Sequence, residues 1–209
     1  PFSDPVAEGI VIQKADERAL AAGTTTDKIF DMVESIQDKM HVPMVFMTYA
    51  NVIFVYGIEK FAKRSKEIGM SGVIIPDVPF EEKEEMDSVF SKYDLDVISL
   101  IAPTSHDRIQ AIAAEAKGFV YCVSSLGVTG MRSTINKGVA QMIEQVKKTK
   151  DIPCAIGFGI STPEQAKEMS EFSDGVIVGS AIVKLVETYG KECIKPVSEY
   201  VKRMKEAIS

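Results

Sequence analysis

Two glycine-rich turns in the last third of the chain place the tightest limit on its fold. Gly157–Ser161 and Gly179–Ser180 each follow a short apolar run directly and each precede a helical pattern. Glycine lets the backbone approach an anion, and the N–H groups at a helix start point toward it with the helix dipole behind them. The two turns therefore predict one phosphate-binding cradle, built on two strand-to-helix connections.

Short apolar runs bounded by turns recur through the sequence and predict six strands. Each run has only four to six residues rich in Val, Ile and Phe, which is typical of parallel strands buried on both faces. The runs are Val45–Thr48, Val73–Pro76, Val97–Ile101, Phe119–Val123, Cys154–Gly157 and Gly175–Val178.

The stretches between these runs read as amphipathic helices. Apolar residues fall on one face of Lys28–Met40 and again on one face of Gly57–Ile68. Later helices begin at Pro79–Glu82, Ser105–Asp107 and Ser161–Glu164, where Ser, Thr, Pro and Glu favour a helix start. Strand and helix alternate, so the sheet should be parallel.

A phosphate cradle on the last two strands is the arrangement of a (β/α)8 barrel, which places it after strands 7 and 8. Counting back from there, we expect one TIM-barrel domain over residues 1–209 that is incomplete at its N-terminus. It would lack the first two strands and the first helix of the barrel. An open six-stranded α/β sheet is the alternative, and it would need both of its edges protected.

Composition excludes some classes of protein. The formal net charge of −6 argues against a nucleic-acid surface, which needs clustered Lys and Arg. The apolar runs are too short to span a bilayer, so we predict no membrane association. Of the three cysteines, Cys122 and Cys154 fall within predicted buried strands and read as reduced structural thiols. A reducing, cytoplasmic setting fits them.

Barrel enzymes place their chemistry at the carboxyl ends of the strands, and few polar residues of this chain fall there. Asp77 ends one strand and Tyr121 lies in another. The loop Ser124–Gly130 is long and rich in small residues, so it reads as a lid over a substrate or as a plain connection.

Several blocks, in the same order, resemble the tryptophan synthase alpha subunit family from residue 1 to about Ile208. The opening Pro1–Gly9 is similar to the second barrel loop of that family, and Met47–Asn51 to its third-strand block. Four later blocks resemble its fourth strand, its sixth loop and its two phosphate loops: Pro76–Pro79, Gly127–Gly130, Gly157–Ser161 and Gly179–Val183.

The resemblance implies a lyase of tryptophan biosynthesis. Such a lyase splits indole-3-glycerol phosphate into indole and glyceraldehyde 3-phosphate by retro-aldol cleavage, and it passes indole to a beta subunit. It implies no metal and no organic cofactor. Two alternatives stay open: another phosphate-binding barrel isomerase, which the fold alone permits, or a noncatalytic module that binds a beta subunit.

The resemblance also implies a role for each matching residue. Glu8 is the catalytic carboxylate that partners the indole nitrogen, where the family has aspartate. The substrate is lined by Met47, Ile74, Pro76, Tyr121 and Thr129. The phosphate is held by Gly130, Gly157, Phe158, Gly159, Gly179 and Ser180. The partner interface comprises Asp4, Asn51, Asp77 and Pro79.

The sequence departs from the family pattern elsewhere as well. The family has a second catalytic glutamate at the end of its second strand, a few residues before the block that begins here at Pro1, so we expect the 209-residue chain alone to be inactive. Ser125 replaces an arginine of the sixth loop that many relatives carry, which leaves any contact of that arginine in doubt.

Overall fold

The computed structural model describes residues 1–6, 8–124, 132–157 and 159–209. It divides into two compact units, Pro1–Ile98 (unit 1) and Ser99–Ser209 (unit 2). The prediction of a single, N-terminally incomplete domain over residues 1–209 stays a prediction.

The described residues form seven strands and ten α-helices. The strands are Val45–Met47 (β1), Gly72–Ile74 (β2), Asp96–Val97 (β3), Ser99–Ile101 (β4), Val120–Val123 (β5), Cys154–Gly157 (β6) and Gly175–Ile177 (β7). The α-helices are Ile10–Ala21 (α1), Thr26–Ile36 (α2), Ala50–Tyr56 (α3), Ile58–Glu67 (α4), Glu84–Phe90 (α5), Ile109–Glu115 (α6), Arg132–Thr149 (α7), Pro163–Ser170 (α8), Ser180–Tyr189 (α9) and Ile194–Ala207 (α10).

Every strand pairing is parallel, as predicted from the alternation of strands and helices. Unit 1 contains the sheet β1-β2-β3, and unit 2 contains the sheet β4-β5-β6-β7. The predicted strand Val97–Ile101 is observed as two, because Asp96–Val97 pairs with β2 whereas Ser99–Ile101 pairs with β5. The other five predicted strands are present within one or two residues at each end.

The predicted helices are present, but two of them start differently. At Phe80–Glu82 and at Pro103–Arg108 the chain forms 3-10 turns, and α5 and α6 begin only after them. Two helices, α1 and α3, were not predicted. α1 has no buried residue and no side-chain cap, so its amphipathic signal is weak.

The core of unit 1 lies between its sheet and helices α2 to α5. Phe30 and Phe61 pack edge to face at its centre, with ring centroids 5.1 Å apart, and Phe90 packs on Phe61. All three side chains are almost completely buried. Aromatic pairs of this geometry add to the hydrophobic stabilisation of a core, so unit 1 has a well-packed interior of its own.

The central strands of unit 2 contribute aliphatic side chains and two thiols to its interior. Val120, Cys122, Cys154 and Ile156 of its central strands are fully buried. Helix α10 packs against both α8 and α9, and it buries Met204.

An ion pair joins helix and sheet at the amino ends of β6 and β7. The Lys147 Nζ lies 2.7 Å from Asp174 Oδ2, and the same carboxylate accepts the Cys154 N–H at 2.7 Å. Burial opposes ionisation of Asp174, but the hydrogen bonds from Lys147 and Cys154 outweigh it and lower the pKa of this carboxyl. Lys147 correspondingly has a raised pKa, chiefly because of its hydrogen bond to Asp174.

Candidate functional site

The predicted site residues fall in both units, and several of them end or closely follow parallel strands. In unit 1, Met47 and Ile74 end β1 and β2 and are direct partners in the strand register. Their side chains therefore share one face of the sheet. Met47 is 54% exposed, whereas Ile74 is buried and Pro76 half-buried. An exposed methionine beside buried aliphatic residues can offer apolar contact to a flat ring.

Glu8 is held by a tyrosine from the loop that follows β1. The hydroxyl of Tyr49 donates a short hydrogen bond to Glu8 Oε2 and accepts the Val6 N–H at 3.1 Å. Tyr49 is only 6% exposed, and its ring packs on Phe2 with centroids 5.1 Å apart. The other carboxylate oxygen, Oε1, accepts no hydrogen bond from a described residue, so it can receive a donor from a ligand.

The predicted interface residues of unit 1 include one with a structural role. Asp77 accepts the Ala50 N–H through both carboxylate oxygens, at 3.0 and 3.3 Å, and so caps the start of α3. Asn51, in the first turn of α3, is exposed, as are Pro79 and Asp4. Asp4 accepts a short hydrogen bond from the Ser3 hydroxyl.

In unit 2, Tyr121 lies directly over the backbone of Gly157. The two residues are on neighbouring strands, and a Cβ on Gly157 would lie 2.5 Å from Tyr121 Cε1 and closer still to Cζ and Oη. Only glycine leaves room for the ring. Tyr121 is 7% exposed, and burial raises the pKa of its hydroxyl. Ser124, fully buried, donates from both its N–H and its hydroxyl to the Gly157 carbonyl.

The two predicted phosphate turns follow adjacent strands, since Gly157 of β6 pairs with Ile177 of β7. Gly159 has φ +75°, a left-handed conformation that favours glycine. Ile160 is buried, and the Tyr200 hydroxyl of α10 donates to the Ser161 carbonyl at 2.9 Å. These contacts fix the first turn in place.

The starts of the two following helices differ in their hydrogen bonding. At α8, Thr162 and Gln165 form a capping box, and Gln165 Oε1 accepts the N–H groups of Ser161 and Thr162. At α9, Gly179 provides no side-chain cap, and the N–H groups of Ser180 and Ala181 donate to no described residue. At the start of α9 the helix dipole and free N–H donors therefore coincide. The glycine turn before α8 has only the N–H groups of its loop to donate to an anion.

Three predicted site residues lie outside the described residues: Thr129, Gly130 and Phe158. The predicted lid, Ser124–Gly130, is described only at Ser124.

The structure also has a cleft of about 420 Å³ in unit 1 that contains none of the residues predicted to bind the indole ring. It is lined by Phe2, Ser3, Asp4, Pro5, Gln13, Glu17 and Leu20. Among the described residues, no three His, Cys, Asp or Glu side chains are grouped as metal ligands, and no helix is long and apolar enough to cross a bilayer.

Parallel strands with glycine-rich turns and a held carboxylate at their carboxyl ends define the class of parallel α/β enzymes to which the TIM barrels belong. The comparisons with known proteins narrow that class. The family model described as "Tryptophan synthase alpha chain" matches residues 1–209.

Individual relatives agree with the family model. The tryptophan synthase alpha chain of Lacticaseibacillus casei is 45% identical over 208 residues, a span that covers 100% of this chain and 78% of that protein. The tryptophan synthase subunit alpha of Campylobacter jejuni has a solved structure that superposes with a TM-score of 0.87 at 33% identity, covering 95% of this chain and 80% of that one. A tryptophan synthase complex from Pyrococcus furiosus gives a TM-score of 0.87 at 30% identity and covers 99% and 84%.

The chain belongs to the tryptophan synthase alpha chain family. The family and the TIM-barrel fold class predicted from sequence are thereby confirmed. The enzyme class, a lyase of tryptophan biosynthesis, is confirmed with them. The prediction of missing strands is not tested and stays a prediction.

Sequence reasoning assigned no role to two residues that the structure places at the site. Tyr49 stands inside the block Met47–Asn51 that carries the resemblance, yet nothing local shows that it contacts Glu8. Tyr200 lies on α10, 39 residues from the carbonyl that it contacts.

Proposed function

We propose that this chain performs the cleavage of indole-3-glycerol phosphate to indole and glyceraldehyde 3-phosphate. The observation that carries the proposal is the match of the family model to residues 1–209, which include the predicted catalytic, substrate-binding and phosphate-binding residues.

Glu8 acts at the indole ring. In a retro-aldol cleavage, a proton is added to ring carbon C3, the bond from C3 to the glycerol chain breaks, and the neighbouring hydroxyl loses its proton as it becomes the aldehyde. Protonation of C3 leaves positive charge on the ring nitrogen. The free Oε1 of Glu8 accepts the ring N–H and stabilises that charge. Met47, Ile74 and Pro76 provide apolar contact to the ring.

The phosphate is the anchor that positions the reacting end. Its ligands in this proposal are the N–H groups of Gly157 to Gly159, those of Gly179 and Ser180, and the Ser180 hydroxyl. The uncapped start of α9 supports this assignment, because free N–H groups and the helix dipole both favour a dianion there. Gly130 completes the phosphate set, and Tyr121 and Thr129 contact the substrate.

We further propose that a tryptophan synthase beta subunit docks on Asp4, Asn51, Asp77 and Pro79 and receives indole. All four are exposed, and the related Pyrococcus furiosus protein was solved as a tryptophan synthase complex.

A cytoplasmic location belongs to the same proposal. The buried thiols of Cys122 and Cys154 are free, and their mutual hydrogen bond together with burial raises the pKa of Cys122. Adjacent unoxidised thiols suit a reducing compartment.

The test is release of indole from indole-3-glycerol phosphate, measured with and without added beta subunit. We expect the 209-residue chain alone to be inactive. When the family segment that carries the second catalytic glutamate is supplied ahead of Pro1, we expect indole release that the beta subunit increases and that Glu8→Ala reduces by at least about 100-fold, the scale of a lost acid–base or electrostatic group. Glu67→Gln, which neutralises an exposed carboxylate at the end of α4, is the matched control and should retain full rate. Absence of indole from this extended wild-type protein, with and without the beta subunit, would refute the proposal.

A further inference from the structure

We infer that Tyr49 is a positioning residue for Glu8: its hydroxyl fixes one carboxylate oxygen so that the other faces the indole N–H. This inference rests on the proposed function and adds a residue to it.

The hydrogen bonds of the hydroxyl carry the argument. A tyrosine O–H has one proton to donate and lone pairs to accept. In this chain the proton goes to Glu8 Oε2, and the oxygen accepts the Val6 N–H at 3.1 Å. The same oxygen therefore binds the backbone of the loop and the carboxylate two residues further along it. Carboxylate and loop are held in one geometry.

Glutamate needs such a partner more than a shorter carboxylate does. Its side chain has three rotatable bonds, and ordering them costs conformational entropy. A charge-assisted hydrogen bond to one oxygen offsets that cost and orients the carboxylate plane. A second contact fixes the backbone, because the Gln13 amide donates to the Glu8 carbonyl at 2.8 Å. Within the described residues, Oε1 has no donor and can accept one from a ligand.

Tyr49 is itself held firmly. It is 6% exposed, its ring packs on Phe2, and its carbonyl begins the hydrogen-bonding pattern of α3 by accepting the Val52 N–H at 3.1 Å. The next residue, Ala50, is fixed by the Asp77 carboxylate. A buried tyrosine anchored on both sides is a rigid support, and rigid supports are what hold a catalytic group within the tolerance that turnover requires.

The experiment uses Tyr49→Phe, which keeps the ring and removes only the hydroxyl, in the same extended protein. We expect kcat for indole release to fall by about 10- to 100-fold, the effect of a displaced catalytic group. KM should change little, since Tyr49 is not among the residues assigned to the phosphate. Tyr93→Phe is the matched control: it removes another tyrosine–carboxylate hydrogen bond of unit 1, to Glu59, and should leave both constants unchanged.

A double-mutant cycle with Glu8→Ala shows whether Tyr49 acts through Glu8. We expect Tyr49→Phe to have no further effect on kcat once Glu8 is alanine. Full kcat in Tyr49→Phe, or equal effects in both backgrounds, would overturn the inference while the proposed function stood.

If the extended wild-type protein releases no indole, the proposed function fails, and the wild type, the two single variants and the double variant are compared by thermal unfolding. If the Tm shifts of Tyr49→Phe and Glu8→Ala do not add up in the double variant, the two side chains interact, and Tyr49 remains the residue that holds Glu8. Additive shifts would overturn this inference as well.

Discussion

Gly157→Ala tests the closest contact that the structure reveals at the site. The added methyl group would lie 2.5 Å from Tyr121 Cε1 and closer to the rest of the ring end. Cβ contacts below 3.0 Å essentially never occur in proteins, so the ring or the strand must move. Tyr121 is 7% exposed, and Gly157 is paired to strands on both sides. Neither group has free space beside it.

Overpacking of this kind costs about 1–3 kcal/mol, and two well-fixed partners place Gly157→Ala near the upper end of that range. For a protein of this size, about 3 kcal/mol lowers Tm by roughly 6–12 °C. Thermal unfolding followed by circular dichroism measures the shift. Gly175→Ala is the matched control, because it lies on the adjacent strand β7 and its Cβ would meet nothing within 4 Å.

Relief of the clash identifies its cause. In a Tyr121→Leu background the ring is gone, so adding Gly157→Ala should lower Tm by less than half of its effect in the wild type. Tyr121→Phe should relieve little, because Cζ and Cε1 remain. If Gly157→Ala lowered Tm equally in the Tyr121→Leu and wild-type backgrounds, the packing argument would be refuted. The loss of Tm would then come from the backbone at residue 157.

Three further predictions follow from other contacts. Gly179→Asp should raise the KM for indole-3-glycerol phosphate by at least about 10-fold, because the added carboxylate repels the phosphate. Tm should not fall, since a Cβ at residue 179 has open space and φ is −118°. Gly179→Asn is the neutral control, and an unchanged KM in the aspartate variant would contradict the phosphate cradle. Asp174→Asn should cost about 1 kcal/mol of unfolding free energy at neutral pH. Because the folded-state pKa of Asp174 is lowered from 3.8 and that of Lys147 raised from 10.5, the difference from wild type in urea titrations should begin to shrink as pH falls below about 3.8, disappear below the lowered folded-state pKa, and shrink again above about 10.5; a difference at low pH as large as that at neutral pH would contradict this. Asp77→Ala should cost about 1 kcal/mol by uncapping α3. Glu199→Ala, which removes an exposed ion pair with Lys195 within α10, should cost less, and equal losses of Tm would count against the capping role.

The strands were predictable because their signal is local. Cys154–Gly157 was predicted with its observed bounds, and Gly175–Ile177 ends one residue earlier than predicted. In each case a short run of buried apolar residues is ended by glycine or a polar turn, and parallel pairing follows from the helix between the strands. The start of α8 was predictable for a similar reason, since Thr162 and Pro163 are local helix-start residues.

The start of α3 was not predictable in the same way. No residue next to Ala50 caps the helix; the cap is Asp77, which is 27 residues away in the chain.

The capping box at α8 had a consequence that its sequence signal did not reveal. Gln165 takes the N–H groups that a phosphate would otherwise use, so of the two predicted helix starts only α9 keeps free donors.

The sequence by itself determined the order and type of the elements, the parallel sheets and the family, because these depend on periodicity and turn residues within a few positions of one another. Only the tertiary structure decided which polar and aromatic groups meet. Tyr49 contacts Glu8 across 41 residues of sequence, and Tyr121 lies over Gly157 because β5 and β6 pair in one register rather than another. Register and loop geometry are set by packing of the whole unit, and a shift of one residue along β5 would turn Tyr121 to the opposite face of the sheet.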